Sequence, residues 1–171
     1  MQGKPPSLNF MRRPPMPTLN TAEDAARLLK QAQERIGDRV RFVETEPHHW
    51  CAMFKDGGFY RLEWSEAWAR LVLIAELGDP PPQDERAALN LALSYNAQWR
   101  KVGNLRMARQ GQGGALVLIG ELDPGDDEPQ GVCAALLHFE GLRRWWGQAL
   151  THVDDDLSES PLPPSQLLER I

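Results

Sequence analysis

Apolar positions change their spacing several times along the chain, and each change marks an element. Ala25, Leu28, Leu29, Ala32 and Ile36 recur at helical spacing, which predicts a helix from about Ala22 to Ile36. Thr21 and Asp24 stand at capping-box spacing ahead of that stripe, with Asp in place of the usual Glu or Gln, and Gly37 supplies a stop. The period then falls to two. Val40 and Phe42 alternate with Arg39 and Arg41. Trp50, Ala52 and Phe54 share one side of a strand, Cys51 and Met53 the other, and Tyr60, Leu62 and Trp64 form one face of the return strand. Between them Lys55-Asp56-Gly57-Gly58 predicts a tight turn, because Asp-Gly readily takes the positive φ that hairpins need. Leu71 to Leu77 is a further strand with apolar residues on both faces, closed by Gly78-Asp79-Pro80-Pro81-Pro82.

A second helix is predicted from about Asp84 to Lys101, with a stripe of Ala88, Leu91, Ala92, Tyr95, Trp99 and Val102. Leu89 and Leu93 lie about 100° and 140° round from Ala88 in an ideal helix, which widens the apolar arc beyond one packing face. A second hairpin follows: Leu105 to Arg109, the loop Gly111-Gln112-Gly113-Gly114, then Ala115 to Leu122. The acidic loop Asp123 to Glu128 leads into a third helix, about Pro129 to Leu150, whose stripe is Val132, Ala135, Leu136, Phe139, Leu142, Trp146 and Leu150. Strands joined by tight turns are antiparallel neighbours. The fold class is therefore α+β: an antiparallel sheet of about five strands with three helices, in the order α-βββ-α-ββ-α.

Prolines set the expected limits of the domain. Five fall among the first twenty residues (Pro5, Pro6, Pro14, Pro15 and Pro17) and three near the other end (Pro161, Pro163 and Pro164). Residues 1–20 are expected to be a disordered Pro-rich tail, 21–152 the folded domain, and 153–171 an acidic, Pro-containing tail; neither tail is needed for folding. The first tail carries Lys4, Arg12 and Arg13 and no acidic residue. The last carries Asp154, Asp155, Asp156, Glu159 and Glu169 against Arg170 alone. The chain as a whole, at 171 residues, has a formal net charge of -5, which argues against a nucleic-acid partner because phosphate binding needs a basic face. No stretch approaches about 20 uninterrupted apolar residues and no apolar leader opens the chain, so neither a membrane span nor a secretory signal is expected. With only Cys51 and Cys133 there is no disulfide framework, and the expected compartment is the cytoplasm.

Candidate chemistry is sparse. His48-His49-Trp50-Cys51 is the best metal-like fragment, since His49 and Cys51 share a strand face, but Cys133, His138 and His152 are the only other neutral donors. Half-exposed histidines beside a packed thiol explain it as well. No Gly-x-Ser-x-Gly elbow is present, and pairings such as Cys51 with His138 or Cys133 with His49 arise by chance from so few residues. The Gly111 loop joins two strands, whereas a phosphate cradle opens a helix. No metal and no cofactor are expected.

Apolar surplus is the unusual feature. A one-sided antiparallel sheet alternates apolar and polar positions. Here Trp50/Ala52/Phe54 and Cys51/Met53 are both apolar sets, as are Leu71/Leu73/Ala75/Leu77 and Val72/Ile74, and Leu116/Leu118 and Val117/Ile119. Either the three helices cover both faces, or a second subunit or an extended polypeptide covers part of one.

From about residue 22 to 150 the chain resembles the class I chaperones of type III secretion, the Tir chaperone family. The resemblance is carried by the helix ending at Ile36-Gly37, the strands around Trp50-Cys51-Ala52-Met53-Phe54 and Tyr60-Arg61-Leu62, and Leu71-Val72-Leu73-Ile74-Ala75-Glu76-Leu77-Gly78 running into prolines. It continues through Leu89, Leu93 and Asn96, then Leu116-Val117-Leu118, and ends in a helix with Leu136, Phe139, Trp146 and Leu150. The resemblance implies a cytoplasmic homodimer, without catalysis or nucleotide, that holds the N-terminal chaperone-binding segment of a secreted effector in extended form. It places the dimer contact on the second helix, at Leu89, Leu93 and Asn96. Leu28 and Leu29 of the first helix, with the large strand residues Trp50, Phe54, Tyr60, Leu62 and Trp64, are the candidate partner-binding residues. Two other classes stay open: a non-catalytic regulatory or scaffold domain of the same fold that binds a folded protein, and a small cysteine or histidine enzyme.

Overall fold

The computed structural model of the chain describes residues 19–122 and 128–151. Residues 1–18 of the first expected tail, all of the last (153–171) and most of the acidic loop Asp123 to Glu128 lie outside those residues.

Helix α1 spans Ala22–Ile36, as its stripe predicts. Thr21 Oγ1 accepts a hydrogen bond from the Asp24 N–H at 3.1 Å. The Asp24 carboxylate reaches back to the Asn20 N–H (3.3 Å), one residue beyond the usual capping-box partner. Leu19 already packs against the core, so the folded domain starts ahead of Thr21.

Six strands follow the pattern, where about five were expected: β1 (Val40–Glu46), β2 (His49–Phe54), β3 (Phe59–Ser65), β4 (Arg70–Gly78), β5 (Arg106–Arg109) and β6 (Leu116–Glu121). They form one antiparallel sheet in the order β1-β2-β3-β4-β6-β5. The additional strand precedes the second helix. β1 is an edge strand; Val40 is buried, the neighbours Phe42 and Val43 are both half-buried, and Arg41, Glu44, Thr45 and Glu46 are exposed, so the alternation that opens the strand does not run its length.

The second helix divides. α2 (Glu85–Ala97) is followed by the single turn α3 (Trp99–Val102). At the junction Gln98 leaves helical geometry (φ -90°, ψ 26°) and its N–H bonds to the Tyr95 carbonyl three residues back. The long last helix, α4, spans Pro129–Thr151.

α1 and α4 pack on each other and on one face of the sheet, which carries Val40, Ala52, Tyr60, Leu62, Leu73, Ala75 and Leu118. Edge-to-face ring contacts tie the layers: Tyr60 to Phe139 at 5.5 Å and Tyr95 to Trp146 at 4.8 Å. The second contact also holds α2 against α4. The opposite face carries the other half of the apolar surplus. Val43, Cys51, Val72, Ile74 and Ile119 are half-buried there, and Met53 and Phe59 are exposed. These seven residues stand outside the helix-covered core.

One buried charge fastens α4 to the β2–β3 turn. Glu140 accepts from Arg143 Nε (2.9 Å) and Nη2 (3.1 Å) and from Arg144, which also pairs with Asp56 in the turn. Gly58 is the close neighbour: a Cβ there would stand 3.2 Å from the Glu140 carboxylate oxygens. Glu140→Gln weakens these charge-assisted bonds without changing shape. It should lower stability by about 1–3 kcal/mol in urea unfolding.

Candidate functional site

An antiparallel sheet has two edges, and an exposed edge is a template for another strand. Both edges here are met by a side-chain amide from a helix, but to different extents. On β5, Asn96 of α2 binds both backbone groups of Met107: its Nδ2 donates to the carbonyl (2.9 Å) and its Oδ1 accepts from the N–H (2.8 Å). On β1, Gln33 of α1 does the same across two residues. Its Nε2 donates to the Val40 carbonyl (2.7 Å) and its Oε1 accepts from the Phe42 N–H (2.9 Å). β5 is only four residues long, so one amide blunts it. β1 is seven residues long, and Gln33 stops at Phe42. Because the Phe42 N–H faces outward, alternation along the strand puts the Phe42 carbonyl and the Glu44 N–H and carbonyl on the same open edge.

A cleft of about 480 Å³ adjoins this open segment. It lies between the start of α1 (Ala22, Glu23, Ala26) and the β1–β2 hairpin (Glu44, Thr45, Glu46, Pro47, His48, Trp50). Its apolar lining is Ala22, Ala26, Pro47 and Trp50. Its charged lining is wholly acidic: Glu23, Glu44 and Glu46. A bulge at Thr45, between Glu44 and Glu46, turns the strand end, and His48 at the hairpin takes a positive φ of 68°. The His48 ring stands 3.8 Å from Glu66 of the neighbouring β3–β4 turn. An apolar floor with an acidic rim and backbone groups that no described residue pairs suits an extended, basic and apolar peptide.

Of the seven residues expected to meet a partner, Trp50 lines this cleft and is itself mostly covered. Leu28, Leu29, Phe54, Tyr60, Leu62 and Trp64 lie with it in the core, none more than 8% exposed. The four strand residues alternate onto the side of the sheet that the helices cover, and Leu28 and Leu29 lie on the face of α1 turned to the core. The three positions expected at a dimer contact behave differently from one another. Leu93 is 67% exposed, Leu89 is half-buried against the core, and the Asn96 amide is engaged on β5. The cleft residues Glu23, Glu44 and Glu46 were not legible as a site, because only the meeting of α1 with a hairpin some twenty residues away assembles them.

The cysteine and histidine residues do not converge. Cys51 is on the sheet face away from the helices, whereas Cys133 of α4 points to α1 and lies 3.5 Å from the Ala32 carbonyl. Burial pushes the Cys133 thiol above its ordinary pKa and the His138 ring below its own. Among the described residues no group of three His, Cys, Asp or Glu side chains is placed to hold a metal ion. Nor is any helix among them long and apolar enough to cross a membrane.

An α+β sheet covered by helices on one face, with one edge left open among the described residues beside a peptide-sized cleft, defines a polypeptide-binding class of domain. The chain belongs to the Tir chaperone protein (CesT) family, whose profile matches residues 25–145. No curated protein matches the sequence. Two of the solved structures that share the fold are complexes. One is the HopA1–SchA chaperone–effector complex, similar at 13% identity over 75% of this chain and 96% of that one, with a TM-score of 0.59. The other is the ExsC–ExsE complex, at 17% identity over 79% and 99%, with a TM-score of 0.62.

Proposed function

We propose that this protein is a type III secretion chaperone. As a cytoplasmic homodimer it binds the N-terminal chaperone-binding segment of a secreted effector and keeps that segment extended for export. It performs no covalent chemistry and takes no cofactor. The observation that carries this reading is the open Phe42–Glu44 edge of β1 beside the acidic-rimmed cleft. The client adds a strand there, presents apolar side chains to Trp50, Ala22 and Ala26, and sets basic residues against Glu23, Glu44 and Glu46. Leu28, Leu29, Phe54, Tyr60, Leu62 and Trp64 support that wall from behind. Each Leu or Phe that the client buries contributes roughly 1.5–3 kcal/mol. Several such anchors offset the cost of ordering the segment, about 2–5 kcal/mol or more. Membership of the Tir chaperone family supports the reading, as does a fold shared with a chaperone–effector complex.

The second copy docks through α2, where Leu93 stands in solvent and Leu89 lies one turn before it. The residues before Leu19 and after His152 are dispensable for folding. Co-expression with candidate secreted proteins tests the function: the expected product is a stable complex containing the N-terminal segment of one of them. Capture of folded domains alone, with that segment free, would contradict it.

A further inference from the structure

We infer that residues 7–13 of this same chain occupy the cleft when no client is present, so that the Pro-rich N-terminal segment is a built-in competitor for the client site. The inference rests on the reading of that cleft as the client site and adds its regulation.

Three observations meet here. The first is position. The Asn20 N–H is tied to Asp24 in the first turn of α1, and the cleft is lined by Ala22, Glu23 and Ala26 of the same turns. The chain therefore reaches α1 at the margin of the cleft. Arg13 is six residues before Leu19, an extended reach of about 20 Å, enough to place it anywhere along that margin.

The second is charge. The lining carries Glu23, Glu44 and Glu46 and no Lys or Arg. Residues 1–18 carry Lys4, Arg12 and Arg13 and no Asp or Glu. Opposite charges held on one chain meet at high effective concentration, so even a weak attraction populates the contact.

The third is backbone chemistry. Pro6 and Pro14 bracket Ser7-Leu8-Asn9-Phe10-Met11-Arg12-Arg13, seven residues that all have an N–H to donate. The open edge of β1 offers the Phe42 carbonyl and the Glu44 N–H and carbonyl. In an extended strand Leu8, Phe10 and Arg12 share one side, which matches a site with an apolar floor and an acidic rim. Prolines on either side end the pairing, so the added strand stays short and can be displaced.

The test uses the full chain without a client. Amide exchange at Glu44 should be slow at low salt. Arg12→Glu with Arg13→Glu should speed it about tenfold or more, with Leu62 in the central sheet unchanged as the internal control. Added salt should have the same effect on the unaltered chain. Combining those two changes with Glu44→Lys and Glu46→Lys should restore slow exchange at position 44. A labelled synthetic peptide of residues 4–18 should bind the Arg12→Glu, Arg13→Glu protein more tightly than the unaltered one, whose cleft is filled. Equal exchange and equal peptide binding in the two proteins would overturn the inference. Effector capture is read separately on the same proteins. If capture persists while the charge reversals change nothing, only the competitor fails. If the tail effects appear and no effector is captured, the client reading fails and the cleft serves the tail alone.

Discussion

Replacing Trp64 with Glu should unfold the domain rather than weaken one binding function. Trp64 is 8% exposed, faces the helix-covered side of β3 and pairs with Leu71 of β4. Loss of a buried Trp side chain typically costs about 3–5 kcal/mol. An ionised carboxylate without a partner adds several more. Domains of this kind have only about 5–15 kcal/mol in total. The near-UV spectrum and the cooperative thermal transition should both be lost. Phe59→Glu is the control, since Phe59 is 50% exposed on the open face and its replacement should leave the transition nearly in place. A cooperative Trp64→Glu protein melting within a few degrees of the original would show that this side chain is not core.

The second large effect concerns assembly. Light scattering should give twice the 19.3 kDa chain mass, and Leu93→Glu should return it to a monomer without loss of fold. Leu93 is 67% exposed and outside the buried core, so the substitution costs the protomer's own packing little. In a two-fold interface each change occurs twice, removing roughly 1.5–3 kcal/mol of burial per copy and placing like charges near each other. The dimer dissociation constant should rise at least about a hundredfold. A single-chain mass for the unaltered protein at tens of micromolar would contradict the α2 contact.

Local signals in the sequence led directly to local structure. Thr21 caps α1 as its spacing with Asp24 predicts. The turn at Asp56-Gly57 joins β2 to β3, with Gly57 at φ 95°. The break at Gln98 has no such signal; no Gly or Pro interrupts the stripe there, and a single three-residue hydrogen bond divides α2 from α3. The edge amides were equally silent, because Gln33 and Asn96 are ordinary surface residues until β1 and β5 lie beside them. By residue type alone the large aromatics suggest pockets. They are large because they fill the space between sheet and helices, and residue type alone does not separate a core Trp from a binding Trp. The surplus of apolar residues was the more informative signal, since it appears on the sheet face away from α1 and α4, where Ile74 is half-buried and Met53 and Phe59 are exposed.

The most direct measurement is site-specific crosslinking within the effector complex. A benzophenone side chain placed at Thr45, an exposed cleft residue, should crosslink to the N-terminal segment of the effector. The same group at Phe59, exposed on the open sheet face, should not. Crosslinking from Phe59 with none from Thr45 would contradict the cleft and the β1 edge as the place where the extended segment is held.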